Sequence, residues 1–199
     1  MKGYALIALL AAGLGACGGS PAPATDEGAS GAEALAEASA SALPTPPDGA
    51  FTVPDWYSLD REARTVHLAI TYGATPENNH WNLNGAIKGT LDITVPQGFT
   101  VTIDQVNRDP NMAHSLGIQA DFADPMLPPT PNPAFEGAVT PNPTSMISST
   151  LPGESETIEF VASEPGRYAM ICYVPGHTAV GMWLYFTVSA DGEAGVRGL

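Results

Sequence analysis

Basic side chains are scarce in this chain. Seven Lys and Arg stand against 21 Asp and Glu over 199 residues, a formal net charge of −14 at neutral pH. That balance excludes a nucleic-acid binder, whose partner's phosphates need cationic neutralisation. It also excludes a polybasic grip on anionic lipid. Cysteine is nearly missing, with two residues, so no disulfide scaffold can form. Long apolar runs are missing too. The longest, Tyr4 to Leu14, falls well short of the roughly 20 residues that span a bilayer as a helix. What is plentiful is glycine, 21 residues, and proline, 19, a balance that favours turns and strands over helices. Hydrophobic residues make up 44%, enough for a packed core.

The N-terminus reads as an address. Lys2 precedes the apolar run, which closes on Leu14-Gly15-Ala16-Cys17. Those proportions are those of a secretory signal. The small residues before Cys17 resemble a bacterial lipoprotein signal, which implies cleavage after residue 16 and a lipid on the Cys17 thiol. Residues 17–50 follow as a flexible linker of Ala, Gly, Ser and Pro with five acids and no base. It holds too little apolar surface to offset the entropy of ordering. Pro44, Pro46 and Pro47 stiffen its exit. Residues 51–199 remain, one ordinary domain with 16 acids and 6 bases. The expectation is an extracytoplasmic globule, anchored by lipid to a bacterial membrane and facing the periplasm.

The domain reads as all-β, a sandwich or barrel. Thr65–Tyr72 alternates, with Val66, Leu68, Ile70 and Tyr72 on one face. Lys88–Val95 and Thr100–Val106 are two more strands, divided by the turn Pro96-Gln97-Gly98. A short strand fits His114–Ile118. Thr157–Val161 and Arg167–Ile171 flank another turn. Met182–Val188 is the last strand, with Met182, Leu184, Phe186 and Val188 on one face. Asp60–Thr65 suggests a helical turn. Residues 119–152 hold eight prolines and little periodicity. Loops of that length inside a domain are commonly functional, and the expectation is that this one covers the functional end or shapes a docking surface.

Four side chains carry chemistry. Cys172, His177 and Met182 form Cys-x4-His-x4-Met across one loop between two predicted strands. Strand alternation points Cys172 and Met182 into the same end of the sandwich, with His177 at the tip between them. A fourth donor must come from elsewhere, and His114, at the start of another predicted strand, supplies it. One thiolate, two imidazoles and a weak thioether form the donor set of a blue-copper electron-transfer site. No open position remains for a substrate, unlike the catalytic metal sites that keep one.

These motifs resemble the cupredoxin family, and most nearly the sulfocyanins. The likeness rests on Asn82-Leu-Asn-Gly85 ahead of a strand and on a Val-Thr-Ile strand leading to the first His. It rests above all on Cys172, Pro175, Gly176, His177, Gly181, Met182 and Trp183. Rusticyanin shares the ligand spacing. The resemblance implies a cupredoxin-like Greek-key β-sandwich holding one type 1 copper ion, Cu(I)/Cu(II), on His114, Cys172, His177 and Met182. It also implies an electron carrier with an exposed ligand imidazole as the electron exit. Family members often carry Asn after the first ligand His. Here Ser115 stands there, with a hydroxyl able to reach the ligand loop and steady the thiolate.

The resulting expectation is a monomeric, membrane-tethered carrier of single electrons between redox partners of a respiratory chain, such as a cytochrome or a terminal oxidase. The acidic balance favours a basic partner through steering that weakens with salt. The alternative is a periplasmic protein of copper storage, delivery or resistance, which the lack of Met- or His-rich tracts disfavours. An enzyme is disfavoured as well: a catalytic thiolate needs an adjacent base and substrate access, and four histidines cannot build a multicopper oxidase. Of the rest, His80 is a surface histidine first and an extra metal ligand second, and His67 is solvated. Trp183 packs in the core or lies on an electron path, and Tyr173 and Val174 offer an apolar docking patch around His177.

Overall fold

A computed structural model of the chain describes residues 43–198 apart from Leu127. The signal, Cys17 and most of the linker lie outside the described residues. The fold is a Greek-key sandwich of two sheets. In chain order the strands are β1 (Tyr57–Asp60), β2 (Thr65–Tyr72), β3 (Asp92–Pro96), β4 (Thr100–Asn107), β5 (Gly117–Gln119), β6 (Ser155–Val161), β7 (Gly166–Ile171), β8 (Trp183–Ser189) and β9 (Gly195–Arg197). One sheet runs β1-β2-β4-β6 and the other β5-β7-β8-β3-β9. β2 pairs parallel with β4, and β3 pairs parallel with β8. The other ladders are antiparallel.

The period-2 pattern of each strand sets which side chains face the space between the sheets. Val66, Leu68, Ile70 and Tyr72 of β2 are buried there, with Val101 and Ile103 of β4 and Ile158 and Phe160 of β6. Leu184, Phe186 and Val188 of β8 meet them from the other sheet. Trp183 and Tyr185 point to the opposite face, into a second cluster with Ala169, Ile171 and Tyr173. Leu43, Phe122 and Val139 cover that cluster. The Tyr185 hydroxyl donates to the Pro44 carbonyl, so residues at the end of the expected linker lie against the sheet.

Seven expected strands are present, and most of their bounds shift by a few residues. β1 and β9 go unanticipated because each is short and carries few apolar residues. The expected helical turn at Asp60–Thr65 is instead the turn of the β1–β2 hairpin. There the Asp60 carboxylate accepts from the backbone N–H groups of Glu62 and Ala63, at 2.9 and 2.8 Å. Such local bonds compete with helix formation. β3 begins at Asp92 rather than Lys88, because the chain first turns at Lys88 and Gly89, with φ of +53° and +68°. A Cβ on Gly89 would lie 2.5 Å from the Trp183 ring, so only glycine fits.

Residues 119–152 chiefly cover a sheet edge. They run beside β5, with Ala134 N–H donating to Ile118 C=O at 2.7 Å and Ile118 N–H to Ala138 C=O at 2.9 Å. Phe135 and Ala138 enter the core between the sheets. The segment satisfies polar groups that a bare edge would expose. Its last residues reach His114, where His114 and Thr150 exchange two backbone bonds of 3.0 Å.

Candidate metal centre

The ligand loop joins β7 to β8 and closes on itself. Met182 N–H donates to His177 C=O at 2.9 Å and Cys172 N–H to Met182 C=O at 3.2 Å. The Thr178 hydroxyl donates to Cys172 C=O at 2.7 Å. The loop 82–89 braces it from outside: Lys88 N–H donates to Gly181 C=O and Gly89 N–H to Trp183 C=O, at 2.8 and 3.0 Å. His114 lies just ahead of β5, held in place by its exchange with Thr150.

These elements bring three donors together. The Nδ1 atoms of His114 and His177 are 3.1 Å apart. Cys172 Sγ is 3.9 Å from His114 Nδ1 and 3.5 Å from His177 Nδ1. Among the described residues, these three form the one cluster of His, Cys and carboxylate groups able to hold a metal ion. Met182 is fully buried beside them, tied through its backbone to both Cys172 and His177. His80 and His67 are not in the cluster. His67 pairs with Asp104 on the outer face of β2, at 2.7 Å.

The surroundings prepare each donor. Asp109 Oδ2 lies 2.8 Å from His114 Nε2, and both side chains are buried. A carboxylate only accepts, so the proton of His114 sits on Nε2 and the Nδ1 lone pair faces the cluster. The other oxygen of Asp109 accepts from the backbone N–H groups of Asn111 and Met112, at 2.8 and 3.3 Å. Ser115 reaches the thiol twice: its N–H lies 3.4 Å and its hydroxyl 3.7 Å from Cys172 Sγ. The same hydroxyl accepts from Tyr173 N–H at 2.9 Å, which links the two loops that carry the donors.

Burial dominates the acid–base behaviour. It pushes the Cys172 thiol up to about 11, against the opposing N–H groups of Ser115 and Val174. It takes His177 down to about 3, with His114 adding to the shift. It also lowers His114, against the raising effect of Asp109. Two neutral imidazoles and a thiol that ionises only beside a cation make a soft, dry donor set. With a buried thioether alongside, that set fits one type 1 copper ion.

Two expectations about the surface need correction. His177 is 1% exposed, so no ligand imidazole reaches solvent. Its ring is covered by Trp81, stacked at 4.1 Å between centroids and 19° between planes. Tyr173 and Val174 are buried rather than forming a patch, because Tyr173 points into the outer cluster and donates to Gln119 at 2.8 Å. Sequence reasoning missed Asp109 and Trp81. Asp109 stands five residues before His114 in an Asn-Arg-Asp-Pro turn, a signal for a loop but not for a partner. Trp81 follows His80, and nothing local ties it to a loop so far along the chain.

The family model for the Sulfocyanin (SoxE) domain matches residues 55–194. Sulfocyanin of Sulfolobus acidocaldarius is 28% identical over 131 residues, covering 63% of this chain and 64% of that protein. The chain thus matches somewhat under two thirds of that relative's length. Among solved structures, dithionite-reduced auracyanin of Roseiflexus castenholzii is 29% identical, over 62% of this chain and 96% of that one, with a TM-score of 0.42. Reduced rusticyanin is 22% identical, over 79% of this chain and 93% of that one, with a TM-score of 0.48.

Proposed function

The chain belongs to the sulfocyanin family of cupredoxins, and on that premise we propose that it carries single electrons on one copper ion bound by His114, Cys172, His177 and Met182. The convergence of Cys172 Sγ with the two imidazole Nδ1 atoms in a fully buried pocket carries this reading. Bound there, copper would supply a one-electron Cu(I)/Cu(II) couple. The protein's residues would hold that couple rigid. Asp109 orients His114, Ser115 steadies the Cys172 sulfur, and the bonds among Cys172, His177 and Met182 close the loop. A site that changes little between oxidation states suits electron transfer. Burial of every donor is poorly suited to the alternative of copper delivery, in which the metal must leave readily.

The finer reading extends to place and partners. The protein would work outside the cytoplasm, as a domain spanning residues 51–199 tethered to a bacterial membrane through lipid on Cys17. Among the described residues no helix is long and apolar enough to cross a membrane. It would pass electrons as a monomer between proteins of a respiratory chain, such as a cytochrome and a terminal oxidase. The net charge of −14 supports a basic partner.

The test is the visible spectrum of the copper-loaded protein before and after ascorbate. Intense absorption that bleaches and returns on oxidation supports the carrier, and Cys172→Ser should abolish it. Copper bound without colour would point to delivery or storage.

A further inference from the structure

We propose that Trp81 is the residue through which electrons enter and leave the metal centre, an inference that rests on the carrier reading above. Each proposed ligand is buried: His114, Cys172 and Met182 are 0% exposed and His177 is 1% exposed. The outer nitrogen of His114 is closed off by buried Asp109. His177 has two ring neighbours. One is His114, inward, at 4.9 Å between centroids. The other is Trp81, whose indole lies nearly parallel at 4.1 Å.

Trp81 is only partly buried, so the residue stacked on the covered imidazole also has surface open to solvent. No hydrogen bond competes with this contact. Nε2 of His177 and Nε1 of Trp81 are both buried without a partner among the described residues. The route outward is therefore π on π, and electron transfer weakens steeply with each gap it must cross.

The indole is held in position from both sides in sequence. Trp81 N–H donates to Asn78 C=O at 3.0 Å, and the Asn78 side chain donates to Trp81 C=O at 2.8 Å. Asn82, next in the chain, is fully buried. Its amide donates to the carbonyls of Thr75 and Glu77, at 2.9 and 3.0 Å, and accepts from Gly85 N–H at 3.0 Å. That network fixes the backbone that carries the ring.

The experiment compares Trp81→Phe and Trp81→Leu in the full copper-loaded chain. Both cover His177, but only Phe keeps a π face on it. The readout is the electron self-exchange rate between Cu(I) and Cu(II) copies, from NMR line broadening. High salt is needed, because the net charge of −14 keeps two copies apart. Visible spectrum and midpoint potential are recorded on the same samples. The expected result is a Phe variant close to the parent and a Leu variant slower by about tenfold or more, since the approach of the reacting groups sets the rate. Spectrum and potential should stay unchanged. A Leu variant with an intact spectrum that exchanges as fast as the parent, or faster, overturns the proposal. A parent without the visible band would instead overturn the carrier reading and this proposal with it.

Discussion

Asp109 and His114 form a buried pair, with Oδ2 2.8 Å from Nε2 and neither side chain more than 1% exposed. The carboxylate orients the imidazole and places a negative charge one ring away from the cluster. In a dry interior that charge favours the more positive state of a bound metal. Asp109→Asn keeps an acceptor for Nε2 but removes the charge. The expected outcome is retained colour with a higher midpoint potential in a redox titration. Asp109→Ala removes the acceptor as well, and copper affinity should fall by about 10–100-fold in a chelator competition.

Copper uptake should release protons in a defined number. The Cys172 thiol, pushed up to about 11, is protonated at pH 7 and must ionise to bind metal. His177, taken down to about 3, is already neutral there and has no proton to give. About one proton should therefore appear per copper ion at pH 7. Calorimetry in buffers of different ionisation enthalpy would count it. Release of two or more would contradict neutral imidazoles.

Phe135 measures whether the Pro-rich segment belongs to the fold. It is buried, lies parallel to Phe160 at 5.4 Å and edge-on to Tyr168 at 5.0 Å. Phe135→Ala should cost about 3–5 kcal/mol of stability in urea unfolding. The visible spectrum of the folded variant should be unchanged, because Phe135 touches none of the donors. A stability equal to the parent's would show that the segment merely lies on the surface.

Asp92 predicts a pH dependence. Burial raises its carboxyl above the ordinary range, against the Thr187 hydroxyl, which donates to it at 2.8 Å, and against Arg167 and Arg197. With a pKa higher folded than unfolded, the folded state holds the proton more tightly. That contribution is complete below the unfolded pKa and is lost as pH rises through the folded one. Asp92→Asn removes the cost of the buried charge. The variant should be more stable than the parent at pH 7, and the gain should vanish as pH falls through the carboxyl range. Thermal unfolding at a series of pH values checks both the sign and the convergence.

Much of this protein could be read from local order. Alternation at two-residue period marked β2 and the inward face of β8, because successive side chains of a pleated strand point to opposite faces of its sheet. The spacing of Cys172, His177 and Met182 set three donors on one loop, because loop closure between adjacent strands leaves so few residues little freedom. Tertiary structure decided the rest. Whether His177 met solvent depended on Trp81, which lies far away in sequence and arrives only when the loop after β2 folds over the metal-binding end. Whether His114 had a charged partner depended on a turn that buries Asp109. Residues 119–152 found their role in the same way, by pairing beside β5 and sending Phe135 into the core. Composition and periodicity describe each segment's own preference, whereas burial and stacking at the site depend on which distant segments the sandwich brings together.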